Sequence, residues 1–187
     1  MTQFLTATLL LLVSLVTASG GDKATPESSQ VWTPPPYAKV IGYRFRLPGE
    51  NSKEAVPSGF TLLPDGLLDS ALLAKQKTKS AELKPADIRR LTSAINAAKV
   101  VSQAACYDPH HIFVFYSDAG TVVAAIEVCF GCTGVSAVPA VAKPRWGRHD
   151  FIALAKLTHR LGLWDEPRTL QQWLDLQSDD EPKPKKP

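Results

Sequence analysis

The chain has 187 residues, 44% of them hydrophobic and 21% charged, with a formal net charge of +3. That length fits one domain or at most two, and it can bury a core without help from crosslinks. The positive excess is mild and dispersed, so neither a nucleic-acid partner, which calls for a basic face or stripe, nor a polybasic membrane patch is expected.

From the N-terminus, Met1 to Gly21 contain no Asp, Glu, Lys or Arg. Phe4 to Val16 form an apolar run of about 13 residues, whereas a membrane-spanning helix needs roughly 20. With the small residues of Val16-Thr17-Ala18 behind it, this run reads as an export signal over residues 1–18. The expected location is periplasmic, outer-envelope or extracellular, and membrane contact would come only through an uncleaved N-terminal segment. Residues 19–36, rich in Pro, Ser and Gly and ending in Pro34-Pro35-Pro36, read as a linker. Residues 37–176 then form a single globular domain, and the charged, Pro-rich residues 177–187 a disordered tail.

Within the domain, Tyr37 to Leu47 read as a strand, Phe60 to Leu63 as a short strand and Pro64-Asp65-Gly66 as a turn. Leu67 to Ala74 fit a strand or a short helix equally well. Pro85 to Lys99 form the clearest helix, with Ile88, Leu91, Ile95 and Ala98 in one apolar stripe. His111 to Val128 read as a hairpin turning at Asp118-Ala119-Gly120, and both its faces are largely apolar, which predicts cover on both sides. Val135 to Val141 suit an edge strand limited by Pro139. Asp150 caps a helix stopped by Gly162, and a last helix starts at Pro167 with Leu170, Trp173 and Leu174 packing inward. The expected fold is α+β: a small antiparallel sheet built on the central hairpin and packed against two to four helices.

Chemistry concentrates around that hairpin, in Cys106, His110, His111, Cys129 and Cys132. If Ser117 opposes Thr121, the register carried outward sets His111 opposite Glu127 and Cys106 opposite Cys132. Opposed residues have β-carbons roughly 4.5–5.5 Å apart. Three readings compete. The first is a structural disulfide from Cys106 to Cys132 (or to Cys129), as expected of an exported chain; closing a loop of about 25 residues is worth about 2–4 kcal/mol. The second is a zinc-type metal site using Cys106, Cys129, Cys132 and one of His110 or His111. The third is an enzyme, redox through Cys129-x-x-Cys132 or hydrolytic through His111 and Glu127. No G-x-S-x-G elbow, H-E-x-x-H helix or Gly-rich phosphate loop is present, so no catalytic residue is assigned. Lys143 to His149 form a basic loop around Trp146, which reads as solvated surface or an anion contact. His149 and His159 read as helix-entry and helix-surface residues. Ligand and partner are open.

The run from Cys106 to Cys132, C-Y-D-P-H-H-I-F-V-F-Y leading to V-C-F-G-C, resembles a pattern in uncharacterised exported proteins and lipoproteins of bacteria. In those, a C-[FY]-x-P-[HR]-[HN] entry leads into an aromatic hairpin that ends in C-[FY]-x-C. The resemblance implies that the cluster acts as one unit, and it brings no activity with it. Many such relatives carry a lipid-anchoring cysteine, whereas this chain has none before Cys106.

Overall fold

A computed structural model describes residues 31–50, 59–97, 99, 107–140 and 149–179. Strand β1 spans Lys39–Phe45, helix α1 Ser70–Gln76, strand β2 Lys77–Glu82 and helix α2 Pro85–Asn96. Strands β3 His111–Tyr116, β4 Val122–Cys129 and β5 Gly134–Val138 follow, then helices α3 Phe151–Arg160 and α4 Leu170–Asp179. The strands form one antiparallel sheet in the order β2-β1-β3-β4-β5. The fold is α+β. Among the described residues no helix is long and apolar enough to cross a membrane.

The hairpin organises the rest. Ser117 N–H donates to the Thr121 carbonyl at 2.9 Å, and Gly120 N–H to the Ser117 carbonyl at 2.9 Å. Gly120 sits at φ +77°, which a residue without a β-carbon adopts at little cost. Every residue from His111 to Phe115 is buried, because both faces of β3 are covered. On one face Val40, Phe113, Phe115, Ile126 and Val128 pack against α2, α3 and Trp173 of α4. On the other, Phe45, Ile112, Val114 and Ala125 pack against Leu62 and Leu63 of the loop before α1 and against Leu73 of α1. Burying each large apolar side chain contributes roughly 1.5–3 kcal/mol.

Several elements differ from their sequence reading. Residues 60–63 form no strand, and Leu67 to Ala74 resolve into the start of α1, whose N-cap Asp69 accepts from Leu72 N–H at 2.8 Å. Strand β2 carries no apolar alternation and so leaves no periodic trace; five of its six side chains are exposed on the sheet edge. Helix α4 starts at Leu170 rather than Pro167. Thr169 caps it reciprocally, its hydroxyl accepting from Gln172 N–H while Gln172 Oε1 accepts from Thr169 N–H. The helix runs to Asp179, three residues into the segment read as a tail.

The linker reading fails at Trp32. This side chain is 5% exposed and stacks edge-on to Phe115, with its indole N–H on the Pro139 carbonyl at 3.0 Å. Its backbone exchanges two hydrogen bonds with the Asn96 side chain at the end of α2. An indole of this area fills core volume whatever the local composition. The domain therefore includes residue 32. Residues 1–30 and 180–187, which hold the predicted signal and most of the tail, lie outside the described residues.

Candidate functional site at the end of the hairpin

The register places the predicted cluster differently from expectation. The pairs run His111 with Val128, Ile112 with Glu127 and Phe115 with Ala124, but Tyr116 with Val122. Val123 is thus an extra residue in β4, a bulge that shifts everything beyond it by one. Side chains alternate along a strand, so a shift of one residue exchanges the faces. His111 is not opposite Glu127, and the two point to opposite sides of the sheet. The predicted acid/base pair does not exist.

On the α1 side, Glu127 is fully buried and holds three segments together. Its carboxylate accepts from Leu62 N–H at 2.7 Å, Thr61 Oγ1 at 2.7 Å and Tyr107 Oη at 3.1 Å. Burial pushes its pKa up, against the pull of those three donors. Burial and the neighbouring Glu127 likewise push the Tyr107 phenol well above its ordinary value. Cys129 lies on the same face, opposite Gly134. A β-carbon on Gly134 would sit 2.9 Å from the Tyr107 ring and 3.1 Å from Cys132 Sγ. Only a glycine lets the ring and the sulfur close over the strand there.

The two sulfurs meet at this point. Cys129 and Cys132 are each 1% exposed, and Cys132 N–H donates to Cys129 Sγ at 3.3 Å. The hydrogen bond to the Cys132 side chain, followed by burial, drives the Cys129 thiol far above its ordinary pKa. A thiol held protonated is a poor nucleophile. Between the cysteines, Phe130 turns to the other face and packs at 5.2 Å from the His111 ring, 5.1 Å from Trp164 and 5.7 Å from Trp173.

On that helix side, His111 is fully buried. Its Nε2 lies 3.1 Å from the Leu163 carbonyl, and its Nδ1 3.6 Å from Glu166 Oε1. Among the described residues neither Nδ1 nor that oxygen has a hydrogen-bond partner. Burial, then the Arg44 cation, lowers the imidazole to about 3. Burial raises the Glu166 carboxyl despite Arg44 nearby. Arg44, directly opposite His111 in the ladder, donates to the Phe45 carbonyl and to the Asp165 carbonyl at 3.4 Å. These groups tie the α3–α4 connection to the sheet.

The five cluster residues of the sequence are therefore divided. Cys129 and Cys132 lie together. His111 is on the opposite face, and His110 Nε2 turns to Glu50 Oε2 at 3.7 Å. Cys106, and with it the Cys106–Cys132 disulfide, lies outside the described residues. Among the described residues there is no disulfide and no group of three metal-ligating side chains. Residues 143–148 of the basic loop are likewise outside, while His149 is buried with Nδ1 2.6 Å from the Ile95 carbonyl. Sequence reasoning missed Arg44, Thr61, Tyr107 and Glu166. An arginine set between Tyr43 and Phe45 in the predicted strand was the available signal for the first.

No protein-family model, curated protein or solved structure matches the chain.

Proposed function

We propose that the chain is an exported, non-catalytic domain in which the cysteine-bearing end of the hairpin is a structural clasp. What supports this reading is that the polar groups of the cluster face inward: His111 and Glu127 are fully buried, and both sulfurs are sealed at 1% exposure. Among the described residues His111 and Cys129 lie on opposite faces of the sheet, so no base meets a thiol nucleophile there, and the high thiol pKa of Cys129 disfavours redox exchange. Export rests on the uncharged N-terminal run. The test is intact mass after alkylation. Cys129 and Cys132 are expected to resist a thiol reagent in the native protein and react only on unfolding. After unfolding without reductant, one labelled thiol would report a disulfide, which involves Cys106 if peptide mapping finds the label on Cys129 or Cys132, and three labelled thiols would exclude it. Rapid labelling of Cys129 or Cys132 in the native state would overturn the clasp.

A second reading is favoured by one observation, the Cys132 N–H directed at Cys129 Sγ within a C-x-x-C turn. A backbone donor of this kind stabilises a thiolate, and the turn supplies two of the four ligands that structural zinc takes. Zinc there would have its role in folding. Stoichiometric zinc in protein purified without chelator, lost in Cys129→Ser, supports it; a metal-free preparation of equal stability excludes it.

A further inference from the structure

We propose that the trough between α2 and α3 binds a linear polyanion, one strand of a polymer bearing phosphate groups. This inference is independent of the cysteine clasp, since the two regions share no residue.

The two helices run antiparallel. Asp87, in the first turn of α2, is bridged by Arg90 at 3.1 Å and by Arg160, at the end of α3, at 2.8 Å. At the other end, Asp150 N–H donates to the Ala94 carbonyl at 2.8 Å. Between these ties lies an open trough of about 630 Å³. Its floor is made by Ala86, Ala94, Ala97 and Ala153, side chains too short to fill the space between the helix axes. Its rim is Arg89, Arg90, Lys156 and Arg160, all exposed. From Ala86 to Ala97 the helical rise gives a length of about 16 Å.

Charge is out of balance along this length. Arg89, Arg90, Lys156 and Arg160, together with Lys99 bound to Asp150 at 2.6 Å, face two carboxylates among the described residues, Asp87 and Asp150. However they pair, cations are left over. Three of the five cations are arginines, whose planar forks suit phosphate oxygens in bidentate contact. Fixed cations along a concave, low-dielectric wall concentrate the field in the trough. A narrow channel between two helices admits one extended chain, whereas a membrane surface needs a broad, flat or convex basic face.

The test uses the full chain and a fluorescently labelled linear polyphosphate longer than the trough, read by anisotropy. Saturable binding that weakens with salt is expected. The Arg89→Glu/Lys156→Glu double variant should bind at least about tenfold more weakly, a loss of about 1.4 kcal/mol. The Lys75→Glu/Lys77→Glu variant makes the same change in net charge at exposed positions on the α1 side of the molecule and should bind as wild type. Circular dichroism establishes that both variants fold. Equal losses in the two variants, or no binding by wild type, would overturn the proposal. So would binding to vesicles of anionic lipid without binding to the polymer, which would indicate a membrane surface instead.

Discussion

The buried imidazole nitrogen Nδ1 of His111 lies 3.6 Å from Glu166 Oε1, and among the described residues neither atom has a hydrogen-bond partner. Two titratable groups sealed together in this way make stability depend on pH, in opposite senses. His111 is lowered to about 3, so between its unfolded value of about 6.5 and 3 the unfolded chain holds the proton that the folded chain refuses. Its contribution is complete above pH 6.5 and is lost as pH falls. The raised Glu166 works the other way, declining as pH rises past the ordinary carboxyl range.

Acid unfolding should therefore begin below about pH 6.5, with a loss of a few kcal/mol over the His111 window. In His111→Gln the slope between pH 6.5 and 4 should flatten, and what remains should be the balance of His110 and His149, both lowered chiefly by burial, against Glu127 and Glu166, whose raised carboxyls act in the opposite sense. Urea unfolding at a series of pH values measures this. An unchanged slope would show that His111 is not the group responsible.

Glu127→Ala removes the acceptor shared by Leu62, Thr61 and Tyr107. A buried donor without a partner costs about 1–3 kcal/mol, and the Leu62 N–H has nowhere to turn. We expect a loss of roughly 2–4 kcal/mol for Glu127→Ala and less than half of that for Glu127→Gln, which keeps an acceptor oxygen. Midpoints of urea unfolding at neutral pH decide between them.

Gly134→Ala sets a methyl group against the Tyr107 ring at 2.9 Å and Cys132 Sγ at 3.1 Å. Overpacking of this kind costs about 1–3 kcal/mol. Because it lifts the ring off the sulfurs, native alkylation of Cys132 should also accelerate. A destabilised variant whose thiols remain protected would show that the ring is not what covers them.

Trp32→Ala is expected to cost about 3–5 kcal/mol, the range for deleting a buried indole. A chain truncated before Tyr37 should lose as much, because the same contacts with Phe115, Asn96 and Pro139 go with it. Thermal unfolding of the two variants side by side checks this equivalence.

How much of this was legible in the sequence depended on whether a residue's role left a local pattern. The hairpin turn, the apolar stripe of α2 and the Asp150 cap of α3 follow from turn chemistry, helical period and a side-chain acceptor, all written over a few adjacent residues. Strand β2 has no such pattern, since its stability comes from the ladder with β1 and its side chains face water. The bulge at Val123 was hidden in a run of strand-forming residues where no position is marked as extra. That single residue undid the pairing of His111 with Glu127. Trp32 was concealed by a Pro-rich neighbourhood, and the Arg44–His111–Glu166 grouping is assembled from β1, β3 and the α3–α4 connection, which only the fold brings together.

The two margins of the sheet limit growth by different chemistry. Along β2, Lys77, Lys79 and Glu82 would have to shed water before a foreign strand could align there. Beyond β5, Pro139 offers no N–H, and its carbonyl already receives the Trp32 indole. Strand addition is thus disfavoured along β2, and on the other side a ladder could not be carried past Pro139.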